Sequence, residues 1–229
     1  MFPICSIRFS AAMRKPNPIV AYTSAFFFGL YLMWALWQQF LLPQIPSPLA
    51  AVLLSICVIK PLVWGLFPCA HYYLRKGSLP KNTASIFAPP FPVLPCITLI
   101  CLTTAFLHTI RLLLGLGNNI VFFDWMFILI SLSAGVFEEY GFRGYFFNVQ
   151  EPFMGFWPAA VLNAVMFTLY HYPEILFGAS LSILISWRGL LIFCMGIVFC
   201  RMFHKWRNLA LNMIVHTVWD ILSFLFCLA

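Results

Sequence analysis

The chain has 229 residues, of which 63% are hydrophobic and 18% are aromatic, whereas only 8% are charged. This composition excludes a soluble globular protein, because a water-soluble fold needs many more charged residues to cover its surface. The formal net charge of +7 does not indicate a nucleic-acid partner, since the basic residues cluster at the ends of apolar runs, as in membrane proteins. We therefore expect an all-α, polytopic bundle of membrane helices that contacts lipid and no nucleic acid.

Apolar runs long enough to cross a bilayer occur along the whole chain. The predicted spans are, in order, residues 19–42, 49–73, 93–116, 121–150, 157–172, 189–203 and 209–228. A turn is expected at 151–155, and 173–188 is either an eighth span or a re-entrant segment. Seven spans put the basic loop at 204–207 on the same side as the basic loop at 75–82, which favours seven. We expect a multi-pass protein of a bacterial inner (plasma) membrane with a cytoplasmic N-terminus.

Two adjacent carboxylates and an arginine lie inside the fourth span, at Glu138, Glu139 and Arg143. A charge at the bilayer centre costs roughly 2.5 to 3.5 kcal/mol even on lenient scales, so such residues indicate function. Glu139 and Arg143 are four residues apart with the acid first, which favours a supporting ion pair within the helix. Adjacent helical residues point about 100° apart. We therefore expect Glu138 and Glu139 to have different partners, and Glu138 to face a cavity as a general base.

Two histidines in later spans have nearly the same predicted depth as Glu138. At about 1.5 Å rise per residue, Glu138, His171 and His216 lie roughly 18, 20 and 15 Å from the cytoplasmic face. Asp220 follows His216 by one helical turn, where it can fix the tautomer of the imidazole and stabilise its protonated form. Phe167 precedes His171 by one turn and is a candidate cavity wall. The three spans are thus expected to meet at one site.

A second polar pair, His108 and Arg111, shares one face of the third span, with Asp124 as a candidate partner. We interpret this group as structural. The alternative is that these residues line the same cavity as Glu138. Purely structural roles are the alternative for the main motifs as well. A buried ion pair can hold two helices together, and a single histidine can be a hydrogen-bonded core residue.

The order of the motifs is more specific than any one of them. In chain order they are Glu-Glu-x-x-x-Arg at 138–143, Phe-x-x-x-His at 167–171 and His-x-x-x-Asp at 216–220. Together they resemble the motifs of the CAAX-protease and bacteriocin-processing (CPBP, or Abi) family of intramembrane proteases. The resemblance covers about 122–229. We accordingly divide the chain into N-terminal transmembrane helices at 1–120, with about three spans, and a CPBP-like catalytic helical core at 121–229.

The resemblance implies an intramembrane endopeptidase that hydrolyses a peptide bond of a membrane-anchored, prenylated or leader-bearing protein or peptide. On this hypothesis Glu138, helped by His171, activates a water, while His216 and Asp220 support the oxyanion. The family commonly has Asn in place of Asp220, and an ionised Asp cannot donate a hydrogen bond, so pairing with His216 suits it better. A metal-free, glutamic-type mechanism without a cofactor is favoured, because His-Glu-x-x-His is absent and no cysteine lies beside the motifs. A zinc site made by His171 and His216 with Glu138 is the alternative.

Two other functions stay open on the sequence. One is a catalytically inactive bacteriocin-immunity or scaffold member of the same family. The other is a proton-coupled membrane transporter, since intramembrane carboxylates and histidines also form proton relays. The sequence has neither an internal repeat nor the paired broken helices that transporters use, which disfavours the second.

Overall fold

The computed structural model describes residues 17–75, 86–115 and 125–226. In these ranges the chain forms seven helices, numbered α1 to α7. They are α1 (Pro18–Gln44), α2 (Pro48–Leu74), α3 (Val93–Leu113), α4 (125–154), α5 (Phe156–Tyr170), α6 (Trp187–Trp206) and α7 (Leu209–Leu225). By length and composition, α1, α2, α3 and α6 are able to cross a membrane. The protein is an all-α, polytopic membrane protein, as the composition predicted.

Polar residues just before the helices fix where three of them begin. Asn17, Ser47 and Ser186 accept hydrogen bonds from main-chain amides in the first turns of α1, α2 and α6. Pro18 and Pro48 follow two of these caps at the first helical position, where a missing amide breaks no helical hydrogen bond. The segment 43–48 between the first two spans contains three prolines. It ends α1 and starts α2.

Two predicted breaks are wrong because a helix continues through them. We expected a turn at 151–155, but α4 continues and the turn is confined to Gly155, whose φ of 78° favours glycine. We also expected a loop at 204–207, but α6 continues through Trp206. Arg207 then ends α6 in the left-handed conformation. A cluster of basic side chains did not interrupt the helix, because long charged side chains extend from its end towards polar surroundings.

Residues 173–186 do not form an eighth helix. They contain two short 3-10 turns, Pro173–Phe177 and Leu181–Ile185, and Gly178 ends the first with a φ of 97°. Each turn has five residues, whereas an α-helix needs about 20 to cross a bilayer. Seven helices rather than eight is thus correct for the described part of the chain. Residues 1–16 and 76–85 lie outside it, so the orientation inferred from their charges stays a prediction.

Buried side chains connect the N-terminal helices to the later ones. A cluster between α1, α2, α4 and α5 contains Trp34, Trp64, Phe142 and Phe146. Two further clusters join α4 and α5 to α6 and α7, and α3 to α6 and α7. As a result, α1 and α2 pack directly on the helices that carry the Glu138 and His171 motifs.

Candidate active site

Glu138 lies in the middle of α4, where the helix widens. Turns of π type occupy Ala134–Glu138 and Tyr140–Phe147, and such turns are frequent at functional sites. The Glu138 side chain is buried, and its Oε1 accepts hydrogen bonds from Lys60 Nζ at 2.8 Å and from the Tyr170 hydroxyl at 2.9 Å. Its Oε2 has no hydrogen-bond partner among the described residues. One oxygen of this carboxylate is thus held by two donors, and the other is buried without a hydrogen-bond partner among the described residues.

Glu138 lines a cavity of about 350 Å³ to which all seven helices contribute. The four side chains predicted to be catalytic, Glu138, His171, His216 and Asp220, all line it. Most of the remaining lining is apolar or aromatic. The volume lies at the lower end of the range of about 300–1,000 Å³ for ligand pockets. The cavity is therefore the place where the three motifs meet.

The predicted ion pair between Glu139 and Arg143 is present and fully buried, with Arg143 Nη1 donating to Glu139 Oε1 at 2.9 Å. Asn212 Nδ2 of α7 donates to Glu139 Oε2 at 3.0 Å, and Arg143 Nη2 donates to the Gly196 carbonyl oxygen of α6 at 3.3 Å. The guanidinium carbon also lies 4.3 Å from the centre of the Phe167 ring. The pair therefore ties α4 to the three helices that follow it.

His216 of α7 is buried between the two adjacent glutamates. Its Nδ1 donates to Glu139 Oε1 at 2.9 Å, and its Nε2 lies 3.9 Å from Glu138 Oε2. The glutamates have different hydrogen-bond partners, as expected, since Glu138 accepts from Lys60 and Tyr170, but His216 also lies close to both acids. An imidazole has a nitrogen on each of two sides, and the π-type turns around Glu138 change the angular spacing of an ordinary helix. One ring thus contacts both acids.

Asp220 does not fix the tautomer of His216 as we predicted. Its Oδ1 lies 3.8 Å from His216 Nε2, which is too long for a hydrogen bond, whereas Glu139 is bonded to Nδ1. The Asp220 side chain is also 25% exposed. Glu139 is therefore the acid that is hydrogen-bonded to the imidazole, and the Asp220 carboxylate lies near the ring without a hydrogen bond to it.

His171 directly follows α5 and is half-buried at the cavity. Its Nδ1 lies 2.8 Å from the Phe167 carbonyl oxygen. Because a carbonyl only accepts, Nδ1 carries the proton, and Nε2 is the acceptor of the neutral ring. The Phe167 side chain lies in the cavity wall, with ring-centre distances of 4.7 Å to His171 and 5.9 Å to His216. The Phe167 ring thus packs against both imidazoles.

Sequence reasoning missed three polar residues of this site, namely Lys60, Tyr170 and Asn212. Lys60 is a lone cation within the apolar second span, and a charge in such a place is itself a signal of function. Tyr170 directly precedes His171, and Asn212 lies one helical turn before His216. The last two were visible as neighbours of the motifs, but neither spacing indicates which atom they contact.

His108 and Arg111 are not among the described residues that line the cavity, and α3 contributes Leu107 and Ile110 instead. Arg111 is buried, with its guanidinium carbon 5.5 Å from the Phe226 ring centre, and the exposed His108 lies 5.9 Å from the same ring. Asp124, their predicted partner, is outside the described residues. The geometry of this pair therefore agrees with a structural role.

No group of three His, Cys, Asp or Glu side chains in the described ranges is arranged to hold a metal ion. The zinc alternative requires Glu138 together with His171 and His216. Glu138 Oε1 already accepts from the ammonium of Lys60 at 2.8 Å. A second cation on the same carboxylate would be repelled, so these residues fit zinc poorly.

Comparison with known protein families agrees with the motifs. Residues 120–222 match the family model described as Type II CAAX prenyl endopeptidase Rce1-like. The matched range contains all three motifs, whereas Lys60 lies outside it. No curated protein and no solved structure gave a significant match to the chain. Residues 120–222 form a domain of the Rce1-like type II CAAX prenyl endopeptidase (CPBP) family, the family that the three motifs predicted.

Proposed function

We propose that the protein is an intramembrane endopeptidase that hydrolyses a peptide bond of a membrane-associated protein or peptide. The family of the 120–222 domain supports protease activity. The observation that carries the proposal is the buried oxygen of Glu138 that has no hydrogen-bond partner in the described residues. This buried carboxylate has one oxygen held by two donors and the other without a partner in the described residues, beside the His216 imidazole. Such an arrangement suits a general base.

The first step is the attack of water on the peptide carbonyl. Glu138 Oε2 and His216 Nε2 are 3.9 Å apart, so one water oxygen can lie within hydrogen-bond distance of both. A proton of the water moves to Glu138 Oε2 as the new C–O bond forms, and the carbonyl electrons move to the carbonyl oxygen. His171 orients the water through its acceptor nitrogen. The product of this step is a tetrahedral oxyanion.

His216 supports the oxyanion in its imidazolium form, in which Nε2 donates a hydrogen bond. The hydrogen bond from Nδ1 to Glu139 holds the ring in place. Asp220 Oδ1, 3.8 Å from Nε2, offsets the positive charge of the ring. When the intermediate collapses, the C–N bond breaks and the proton on Glu138 moves to the leaving nitrogen. A carboxylic acid and an amine result, and Glu138 is again a carboxylate.

The membrane setting limits the substrate to chains that lie in or on the bilayer. We take all seven helices to cross the membrane, with the N-terminus in the cytoplasm of a bacterium. Leu94 and Leu113 on α3 are 74% and 81% exposed, which supports contact with lipid. The largely apolar cavity wall supports a substrate delivered from the bilayer, such as a prenylated or leader-bearing peptide.

The proposed reaction uses no metal ion, because Glu138 itself takes the proton from water. The ammonium of Lys60 on the same carboxylate supports this choice. A chelator should leave the rate of a metal-free enzyme unchanged. A rate that is lost with chelator and restored by zinc would replace this mechanism with a zinc-dependent one.

The test is cleavage of a library of membrane-anchored peptides, prenylated and leader-bearing, by purified wild type, Glu138→Ala and His171→Ala. His108→Ala is the matched control, because it removes a membrane histidine outside the described cavity lining. We expect cleavage by wild type and the control, and severe loss in the other two variants. Equal cleavage by all four proteins would contradict the assignment of the site. No cleavage by any would favour an inactive scaffold or a transporter.

A further inference from the structure

The first half of the chain contributes a charged residue to the site. Lys60 of α2 lies well outside the matched range 120–222, and its buried Nζ is 2.8 Å from Glu138 Oε1. We propose that Lys60 is a positioning residue for Glu138, which keeps Oε1 occupied so that Oε2 alone meets the attacking water. This inference rests on the endopeptidase function proposed above. It adds helix α2 to the helices that form the catalytic centre.

The packing of α2 along α4 sets the ammonium of Lys60 opposite the carboxylate. One turn before Lys60, the Ile56 carbonyl oxygen accepts a hydrogen bond from Ser133 Oγ at 3.0 Å. One turn after Lys60, Trp64 of α2 lies against Gly141 of α4. The two helices can approach closely there because Gly141 has no Cβ, which would lie 2.9 Å from the Trp64 carbonyl oxygen. Contacts thus recur every four residues along α2, with Lys60 in the middle. The contact belongs to the helix interface and is not a chance approach of a long side chain.

The two donors to Glu138 act on the same oxygen. Lys60 Nζ and the Tyr170 hydroxyl both donate to Oε1, one from α2 and the other from α5. Together they fix the rotation of the carboxylate about its last bond. Oε2, 3.9 Å from His216 Nε2, is then the oxygen that meets water. With Lys60 removed, a single donor remains and the carboxylate is free to turn away from the attacking geometry.

Lys60 also offsets negative charge at the cavity. Glu138 Oε2 and Asp220 Oδ1 lie 3.9 and 3.8 Å from the same nitrogen of His216, so two carboxylates meet at one imidazole. Like charges repel more strongly where water is partly excluded than in bulk water. The ammonium of Lys60, in direct contact with one of the two, lowers this repulsion. The same side chain therefore holds the base in place and permits a second acid beside it.

The activity test compares Lys60→Met with Lys205→Met, a matched change at an exposed lysine at the end of α6. We expect Lys60→Met to lower kcat by roughly 100-fold, the cost of a misplacement of about 1 Å at a reacting group, with KM unchanged. Lys60→Arg, which keeps a charged donor, should be faster than Lys60→Met. Butylammonium should restore Lys60→Ala in a saturable manner, whereas 1-butanol should not. Wild-type kcat in Lys60→Met would overturn the proposal.

If Lys60→Met does not fold, Lys60→Arg decides the matter. We expect a folded, active Lys60→Arg, and a folded but inactive one would overturn the positioning role. Thermal unfolding of Lys60→Met, Glu138→Gln and the double variant tests the pairing without substrate. The double variant should unfold at a higher temperature than Lys60→Met, because no unpaired carboxylate remains, and additive losses would refute the pairing. A coupled pair in a wild type that cleaves nothing would contradict the proposed function and, with it, the positioning role.

Discussion

The helices α4 and α7 approach closely at Gly135, three residues before Glu138 on α4. A Cβ at Gly135 would clash with Thr217 Oγ1 and would lie 2.7 Å from the Met213 carbonyl oxygen. The second contact is with main-chain atoms, which cannot rotate out of the way as a side chain can. Gly135→Ala is therefore expected to push α7 away from α4.

The size of the shift follows from the contact distance. Ordinary van der Waals contact begins at 3.4 Å, so α7 has to move by about 0.7 Å to clear the Met213 carbonyl oxygen. His216 lies between Met213 and Thr217, so the movement also lengthens its 2.9 Å hydrogen bond to Glu139. Overpacking typically costs about 1–3 kcal/mol, and a misplacement of about 1 Å at the chemistry can cost about 100-fold in rate. We expect losses of this order in the free energy of unfolding and in kcat.

Thermal unfolding in detergent and peptide cleavage measure the two effects. Gly29→Ala in α1 is the matched control, because a Cβ at Gly29 would meet no atom within 4 Å. An alanine there should keep wild-type kcat and raise stability by up to about 1 kcal/mol through its higher helix propensity. If Gly135→Ala proves as stable and as active as Gly29→Ala, the α4–α7 contact described above is incorrect.

Three further variants test individual contacts by thermal unfolding. Glu139→Gln leaves the buried Arg143 without its carboxylate and should lower the free energy of unfolding by about 3–5 kcal/mol or prevent folding; near wild-type stability would contradict a stabilising role of the Glu139–Arg143 ion pair. Tyr170→Phe removes the 2.9 Å hydrogen bond to Glu138 and should cost about 1.5–3 kcal/mol, as for a bond to a charged group; no change would mean that this bond is absent. Asp220→Asn should change stability by less than about 1 kcal/mol, because the acid is partly exposed and its 3.8 Å approach to His216 is not a hydrogen bond; a large loss would indicate an unrecognised partner.

Contacts within one helix were predictable from sequence spacing. Glu139 and Arg143 are four residues apart, and the helical repeat alone brings such side chains together. The predicted starts of the first two spans, 19 and 49, lie one residue from the observed Pro18 and Pro48, where a polar cap followed by proline is a local signal. These features depend on a few neighbouring residues, so they can be predicted without knowledge of the tertiary structure.

Contacts between helices were not predictable in the same way. Lys60 and Glu138 are 78 residues apart, and their contact depends on the rotation and register of α2 against α4. Close approaches at small residues such as Gly141 set that register. The apolar side chains are spread almost evenly around these helices, so no polar face reveals which side meets a neighbour. The sequence nevertheless indicates that one acid needs a basic partner from elsewhere, because the motif at 138–143 contains two glutamates and one arginine.

The partner of His216 illustrates the limit of spacing arguments. Asp220 is four residues away on the same helix, and the sequence therefore favoured it. Glu139 of α4 approaches to 2.9 Å, whereas Asp220 stays at 3.8 Å. Only neighbours on the same helix are visible in a spacing pattern, although a residue from another helix can make the shorter contact. The pairing of Glu139 with Arg143 within one helix was predictable from the sequence, whereas the contacts that His216 makes with another helix were not.

The measurement that tests the central claim most directly is cleavage of one membrane-anchored peptide in H₂¹⁸O by wild type and Glu138→Gln. The variant keeps the shape of the side chain and removes its ability to take a proton from water. We predict that wild type places one ¹⁸O in the new carboxylate of the product. Glu138→Gln should be slower by about 100-fold or more, as for loss of a general base. Wild-type rates in Glu138→Gln, or a product without ¹⁸O, would contradict the account.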